Sequence, residues 1–347
     1  MTLDQAVALS LLEDLPRVGL TARLVESDPE LLDRAAPLLD RARDQRLRAG
    51  QAGIGVLAWN DPLMPLALMA ISDAPPALWY RGSLDCLTQP AVAIVGSRAA
   101  SSVAIETARR LATDLAALGI TVISGLARGV DSAAHRGALE TGRTVAVLGS
   151  GVDYIYPSEH KELARQITTD GLVVSEYPPG TPPLHFHFPM RNRLISGLSR
   201  AVVVIEASDK SGSLITASCA AEQGRDVMAV PGNVLSGRNK GGHALIRDGA
   251  KIVECADDIV AELGFDPALA GRVSRREQAI GSDPASDNGS TSSEDPVLRR
   301  MDAACAYDID ALAAACGLDA PRLLPHLADL ELRGLVRRVG GGRFMRS

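Results

Sequence analysis

The chain has 347 residues, of which 46% are hydrophobic, so it is long enough for two or three domains with cores of their own. A composition this apolar excludes a disordered protein. The 36 lysines and arginines are outnumbered by 42 aspartates and glutamates, which gives a net charge of −6. A polyanionic partner is not excluded, but it requires a local basic surface because the overall field repels it.

The cysteines indicate reduced, mostly buried thiols, because their number is odd, their spacing is irregular and no CxxC pair occurs. We therefore predict neither a disulfide nor a zinc site. The amino terminus lacks a basic n-region, and no apolar run approaches the roughly 18 residues of a membrane span. These features predict a cytoplasmic protein without a membrane partner. The cysteines are Cys86, Cys219, Cys255, Cys305 and Cys316.

Leucines at helical spacings predict a helical amino-terminal domain over residues 1–56, of the SAM or helix-hairpin-helix kind. The segment LPRVGL at Leu15–Leu20 interrupts the pattern. It is either a turn that presents backbone amides to a DNA phosphate or an ordinary helix–helix connection, and the second glycine of a helix-hairpin-helix motif is missing. The proline-rich segment 57–89 is predicted to be a connector to the next domain.

From Pro90 onward, short β-branched runs alternate with helical patterns, which predicts an α/β fold with a parallel sheet over residues 90–270. Each run ends in small or polar residues. Because ligands bind outside the carboxyl ends of the strands in open α/β sheets, this polar rim is the candidate site. The runs are Val92–Val95, Thr121–Ile123, Val145–Leu148, Leu172–Val174, Val202–Ile205 and Val227–Val230.

The composition then changes to a polar segment that cannot bury enough apolar surface to fold, so residues 271–296 are predicted to be a flexible linker. Residues 297–347 offer three short helical patterns and a hairpin of Leu335–Val339 and Arg343–Met345, which is typical of a winged-helix domain. The third helix, Ala320–Gly334, mixes acidic and basic residues. Packing or protein contact is therefore favoured over reading of a DNA groove.

Two loops of the rim carry a candidate phosphate-binding site. Gly96-Ser97-Arg98 follows the first strand directly, where a helix N-terminus and a guanidinium would hold a phosphate. In the alternative interpretation, Arg98 pairs with a carboxylate of the rim. After the strand Val202–Ile205, Ser211-Gly212-Ser213 and Thr216 offer backbone amides and hydroxyls to the same ligand.

An arginine-rich turn before Val202–Ile205 places cations beside aromatic rings. Arg191 and Arg193 flank Asn192, and they follow Phe186 and Phe188. Cations that track a backbone while rings stack on bases are the pattern of single-stranded nucleic acid binding. Aromatic residues are only 3% of the chain, and rare rings are mostly buried, so we expect one of these two rings in the core.

Catalytic, metal and cofactor sites lack their usual patterns. Gly149-Ser150-Gly151 is not followed by the third glycine of a dinucleotide fingerprint, and the P-loop lysine motif is absent. No HExxH motif, no clustered Cys/His ligands and no nucleophile–base spacing accompany the acidic and histidine residues of the rim. We therefore expect no metal, no cofactor and no catalytic residue. These acidic and histidine residues are Asp131, His135, Asp153, Glu176, His185 and His187.

Seven motifs together resemble the DNA-processing protein A family, also called DprA or Smf. They run in family order across about Pro90–Leu263, and the helical amino-terminal domain and winged helix match the layout of some members. The motifs are VGSR at Val95–Arg98, SGLARGVDSAAHRGAL at Ser124–Leu139, AVLGSGVDYIYP at Ala146–Pro157, SEYPPG at Ser175–Gly180, FPMRNRLISGLS at Phe188–Ser199, SGSLITA at Ser211–Ala217 and LIRDGA at Leu245–Ala250.

The resemblance implies an extended Rossmann-like domain that dimerises and binds single-stranded DNA without sequence preference. It also implies loading of the recombinase RecA during natural transformation, with single-strand-binding protein as a further partner. Carried over position by position, the resemblance implies that Arg98 contacts DNA. It also supports a surrounding pocket, which consists of Gly96, Ser97, Arg191, Arg193, Ser211, Gly212 and Ser213.

Two lysines are weaker candidates for DNA contact. Lys240 is one. In some members a lysine that follows the Tyr-Pro pair touches DNA, but here Tyr156-Pro157 is followed by Ser158. Either Lys161 replaces that lysine from one helical turn on, or the protein binds DNA more weakly there.

We therefore predict a non-enzymatic, homodimeric single-stranded DNA-binding protein that protects incoming or damaged strands and serves homologous recombination. A first alternative is a nucleotide-binding hydrolase related to nucleoside-monophosphate phosphoribohydrolases. Those enzymes carry a PGG and a GxGT-x-x-E loop, whereas this chain has Pro231-Gly232-Asn233 and no glutamate at the comparable spacing. A second alternative, an interaction scaffold, keeps the fold and makes Arg98 dispensable.

Overall fold

A computed structural model describes residues 1–12, 14–15 and 19–265, and further on residues 312–313, 323, 327, 330, 336–339 and 343–346. The chain divides into two compact units, Met1–Gly281 and Ser282–Ser347. The predicted linker at 271–296 and most of the predicted third helix of the winged-helix domain lie outside the described residues.

The leucine pattern of the first 56 residues is observed as helices. The first helix begins at a capping box in which Thr2 and Gln5 each bond the backbone of the other. Leu9 and Leu31 share an apolar cluster with Trp79 of the sheet, so these helices pack on one of its faces. Pro16–Val18 of the LPRVGL segment lie outside the described residues. The helices are α1 (Leu3–Ser10), α2 (Leu20–Val25), α3 (Pro29–Ala35) and α4 (Leu39–Gln51).

The described strands of the first unit form one nine-stranded sheet. They are β1 (Gly55–Ala58), β2 (Ala77–Gly82), β3 (Ala91–Gly96), β4 (Thr121–Ser124), β5 (Thr144–Val147), β6 (Leu172–Ser175), β7 (Ala201–Ile205), β8 (Asp226–Ala229) and β9 (Lys251–Ile252). Their order across the sheet is β1-β2-β6-β5-β4-β3-β7-β8-β9. Strands β3 to β9 run parallel, and β1 and β2 add an antiparallel edge. The predicted α/β fold class is confirmed.

The segment 57–89 does more than connect two domains, because it contributes β2 to the sheet. Its prolines obscure the strand in the sequence, but β2 begins directly after Pro75-Pro76. The strand then pairs antiparallel with β6, and Trp79 on it is fully buried.

Helices cover both faces of the sheet. They are α5 (Leu66–Met69), α6 (Ser102–Ala117), α7 (Val130–Thr141), α8 (Lys161–Asp170), α9 (His187–Gly197), α10 (Ser213–Glu222), α11 (Lys240–Arg247) and α12 (Ala256–Leu263). On α6, Ala108, Leu111 and Leu115 form the face that is buried against the sheet. Most strands are apolar on both faces, as expected for a parallel sheet between two helical layers.

The chain order reverses beside β3, whose neighbours in the sheet are β4 on one side and β7 on the other. At such a switch point the loops that follow the two strands diverge to opposite faces and leave a crevice at their carboxyl ends. The topology therefore places the loop after Gly96 and the loop after Ile205 on the two sides of one crevice.

In the second unit, β10 (Val336–Val339) and β11 (Arg343–Arg346) form an antiparallel hairpin, which confirms the prediction of a wing. Val336 and Phe344 of this hairpin are buried with four leucines of helical conformation. These are Leu312, Leu323, Leu327 and Leu330. Across the described part of the chain, every helix is too short or too polar to cross a lipid bilayer.

Candidate functional site

A cleft of about 410 Å³ opens at the carboxyl ends of β3 and β7. The loop after β3, the first turns of α9 and the loop between β7 and α10 form its walls. Most of the site residues predicted from the sequence line it, and they are Gly96, Ser97, Arg98, Phe188, Arg191, Asn192, Ser211, Gly212, Ser213 and Thr216.

The backbone of the loop after β3 packs so closely against neighbouring backbone that two positions require glycine. A Cβ atom at Gly96 would collide with the carbonyl oxygen of Ile205. Gly129 has φ +74° and packs on the carbonyl oxygens of Ser97 and Arg98, where a side chain would not fit. The Ser97 carbonyl also accepts a hydrogen bond of 3.2 Å from the amide of Val130. The loop is therefore held rigidly in place under the Arg98 side chain.

Arg98 is exposed at the mouth of the cleft. Among the described residues, no carboxylate lies within ion-pair distance of it, so the alternative interpretation of a rim salt bridge finds no support in this part of the chain. Its guanidinium carbon lies 5.5 Å from the ring centroid of Phe188, and that ring lies 5.5 Å from the ring of Tyr156. A cation without a carboxylate partner among the described residues thus stands over the ring of Phe188, which adjoins the ring of Tyr156.

The opposite wall is the start of α10. The hydroxyl oxygens of Ser211 and Ser213 lie 2.7 Å apart, and Asn192 donates its side-chain amide to the carbonyl of Gly212 at 3.2 Å. The amides of Ser213 and Leu214 bond within the turn, to the hydroxyl and the carbonyl of Ser211. Because these two amides already have acceptors, a ligand here would meet the serine hydroxyls and the positive end of the α10 dipole.

Arg191 forms the floor of the cleft and is only 3% exposed. It donates to the carbonyl of Gly125 at 2.8 Å and to that of Val147, so it ties together the ends of β4 and β5. Burial lowers its pKa to about 10, although the nearby Asp131 opposes this shift. The guanidinium thus keeps its charge at neutral pH, and it contributes an immobile positive charge to the floor of the cleft.

The carboxylate of Asp131 lies near the Arg191 guanidinium and opposes its positive charge. From the sequence, Asp131 was a candidate only for an acid–base or metal role. Its carboxylate accepts hydrogen bonds of 3.2 Å from the amides of Gly125 and Ala127, and burial raises its pKa. The feature of the sequence that could have identified this role is the position of Asp131 in the first turn of α7, beside a strand end of the rim.

The structure places Arg193 outside the cleft. Arg191 and Arg193 lie on a helix, not on the turn expected from the sequence, and side chains two positions apart on a helix point in different directions. Arg193 is buried between Asp73 at 2.8 Å and Glu176 at 2.6 Å. Lys161 and Lys240 are exposed at the first residues of α8 and α11, and neither lines the cleft.

The expectation for the two phenylalanines also needs correction, and His187 has a structural partner. Neither Phe186, which is 63% exposed, nor the half-buried Phe188 belongs to the core, so the expectation that one of them does is wrong. His187 is the first residue of α9, and its ring bonds the carbonyl of Gly149 at 3.1 Å. Within the described residues, no three His, Cys, Asp or Glu side chains are grouped as a metal site.

Fold and site together define a class of protein: a doubly wound α/β protein with a cleft at its switch point that is lined by arginine and serine side chains, in a chain that continues into a unit with a winged hairpin. Comparison with known proteins identifies the family. The family model described as DNA recombination-mediator protein A matches residues 55–264, and that of the DprA winged helix domain matches residues 281–342. The chain belongs to the DprA/Smf family.

Individual relatives agree with this assignment. The chain is 48% identical over 206 residues to DNA processing protein DprA of Streptococcus pneumoniae, covering 59% of this chain and 73% of the relative. It is 39% identical over 280 residues to Protein Smf of Escherichia coli, covering 80% and 74%.

Two solved structures are similar in fold. The X-ray structure of S. pneumoniae DNA processing protein A matches with a TM-score of 0.63 at 39% identity, covering 76% of this chain and 94% of that one. The Helicobacter pylori protein, whose structure concerns its single-stranded DNA binding mode, matches with a TM-score of 0.56 at 29% identity, covering 60% and 95%.

Proposed function

We propose that this protein binds single-stranded DNA, without sequence preference, in the cleft between β3 and β7. The observation that carries this proposal is Arg98, an exposed cation with no carboxylate partner among the described residues, set over the ring of Phe188. The single-stranded DNA binding of the H. pylori relative supports the same ligand for this cleft.

The geometry favours a single strand over a duplex. Arg98 would neutralise a phosphate, and the hydroxyls of Ser211 and Ser213 would donate to its oxygens from the opposite wall. The adjoining rings of Phe188 and Tyr156 would stack on bases, whose faces are accessible only when the strand is unpaired.

The proposed function is not enzymatic. The carboxylate of Asp131, which lines the cleft, accepts two backbone amides. Glu206 at the end of β7 accepts from the amide and hydroxyl of Ser101, the residue that caps α6, so both carboxylates have structural partners. Incubation with nucleoside monophosphates tests the hydrolase alternative, and we expect no release of free base.

In the cell, we propose that the protein forms a homodimer that protects incoming or damaged single strands and loads RecA onto them, including strands coated with single-strand-binding protein. The family description as a recombination mediator supports this role. Light scattering tests the dimer, and RecA filament assembly on a coated strand tests the loading.

The first test of the site is binding of a fluorescent oligo-dT to the wild type and to Arg98→Ala at two salt concentrations. We expect severalfold weaker binding and a plot of log K against log salt that is less steep by about 0.7, the slope for one phosphate contact on a single strand. Arg110→Ala, which removes an exposed arginine of α6, is the matched control.

A duplex of equal length is expected to bind more weakly than the strand. Wild-type affinity for oligo-dT that does not depend on salt would refute the proposal. Equal loss in the Arg98 and Arg110 variants would refute the role of the cleft.

A further inference from the structure

A second cleft lies on the amino-terminal side of the same unit, away from the site described above. Its volume is about 500 Å³, and it is formed by α4, the end of β2 and the loops that follow β5 and β6. Three arginines line it, together with the apolar side chains of Ala49, Ala52 and Ile54. The arginines are Arg41, Arg48 and Arg81.

The side chains that line the second cleft include three arginines and two aspartates, which gives it a net charge of +1. Arg48 pairs with Asp44 at 2.8 Å, and the carboxylate of Asp153 accepts the amide of Gly180 at 2.9 Å. Among the described residues, no carboxylate lies within ion-pair distance of Arg41 or Arg81. A cleft with apolar side chains, two cations without partners and occupied acidic groups suits an anionic ligand with apolar faces.

The loop after β5, which carries two exposed tyrosines, forms a bridge between the second cleft and the first. Phe188 lines the first cleft and contacts Tyr156, which is 44% exposed. Tyr154 is 48% exposed, and Asp153 next to it lines the second cleft. Asp153 and Tyr156 are three positions apart in the chain, so their backbones are at most about 11 Å apart.

The bridge is held in place by hydrogen bonds. The amide of Gly151 donates to the carbonyl of Thr181 at 2.9 Å, which ties the loop after β5 to the loop after β6. Gln45 of α4 donates to the carbonyl of Pro179 at 3.1 Å. The helix that carries Arg41 is thereby fixed to the loop that leads to Phe188.

We propose that the second cleft is an additional DNA subsite, in which Arg41 and Arg81 hold phosphates of the same single strand that occupies the first cleft. The strand leaves Arg98, passes over Phe188, Tyr156 and Tyr154 with its bases against the rings, and enters between α4 and β2. The amino-terminal helices thus lengthen the binding site. This inference rests on the proposed function.

Oligonucleotide length provides the test, because only a long strand reaches both clefts. We would measure binding of oligo-dT of about six and about twenty nucleotides to the wild type and to Arg41→Ala/Arg81→Ala. The double variant is expected to bind the long strand severalfold more weakly, with a salt slope less steep by about 1.4, and to bind the short strand as the wild type does.

The matched control is Arg110→Ala/Arg136→Ala, which removes the same charge from exposed positions of α6 and α7 outside the second cleft. Arg41→Glu, a single change at an exposed position, is a second variant that repeats the test should the double variant unfold.

The outcomes separate the inference from the proposed function. Binding of both lengths by the wild type with no selective loss in Arg41→Ala/Arg81→Ala or Arg41→Glu overturns the subsite and leaves the proposed function intact. An equal loss for both lengths also overturns it, because the second cleft would then not be a separate subsite. No binding of either length by the wild type overturns the proposed function and the subsite together.

Discussion

At the scale of the residue, burial decides what each arginine of the cleft does. Arg98 and Arg191 both line the cleft, but Arg98 is exposed while Arg191 is 3% exposed and bonds two strand-end carbonyls. A buried cation that lost these bonds would leave polar groups unsatisfied, so Arg191 is fixed. Arg98 is the cation that remains available to a phosphate.

A buried histidine makes stability depend on pH. Burial lowers the pKa of His135 to about 3, below the value near 6.5 of an unfolded chain. Its Nδ1 bonds the hydroxyl of Thr144 at 2.7 Å, and that hydroxyl donates to the carbonyl of Val122, so Nδ1 carries the proton. Protonation of Nε2, which has no hydrogen-bond partner in the structure, would create a buried charge.

Because the folded pKa of His135 is lowered, the unfolded state binds the extra proton first, and stability falls as pH drops from about 6.5 toward 3. Between about pH 6 and pH 4, the free energy of unfolding of the wild type should fall by about 2 kcal/mol more than that of His135→Gln. Urea unfolding at each pH measures this difference. The exposed His185→Gln is the control, and parallel curves for the wild type and His135→Gln would contradict the prediction.

At the scale of the element, the start of α6 anchors the loop that carries Arg98. Ser101 caps the helix by accepting from the amide of Ala104 at 3.2 Å. Its own amide donates to Glu206 at 2.9 Å, and Glu206 follows the last residue of β7. The cap therefore joins the two strand ends that border the cleft.

Ser101→Ala should lower the free energy of unfolding by about 1 kcal/mol, because the helix loses its cap and Glu206 loses a donor. Thermal or urea unfolding measures the change. Ser102→Ala, at the next position and exposed, should change stability by less than about 0.5 kcal/mol. Equal effects of the two substitutions would show that the contact with Glu206 contributes nothing.

At the scale of the whole molecule, all the residues proposed to contact DNA lie in the first unit. Its apolar clusters are built from residues of that unit alone, and the second unit has a small core of its own around Phe344. Each unit thus has the apolar interior that an independently stable domain requires.

A chain that ends at residue 281 should therefore keep the thermal midpoint and the oligo-dT affinity of the first unit. Calorimetry and fluorescence anisotropy on the truncated and full-length proteins test this. A large loss of affinity on truncation would show that the second unit takes part in binding.

The sequence predicted the sheet well because each parallel strand is a short β-branched run buried on both faces, so its signal is local. The order of strands is not local. That β3 lies beside β7, and that their loops share one cleft, depends on pairing between residues more than 100 positions apart, such as Val95 and Val204. Strand β2 was harder to predict, because it follows two prolines and pairs with β6 from a segment that resembles a connector.

By itself, the sequence determined the fold class, the winged hairpin and the loop that carries Arg98, because motif spacing and apolar periodicity are properties of neighbouring residues. Only the tertiary structure decided which cations face the cleft. Arg191 and Arg193 are alike in sequence, but α9 turns one into the floor and the other between Asp73 and Glu176. Burial and partners depend on which distant elements meet, and that information appears only when the chain has packed.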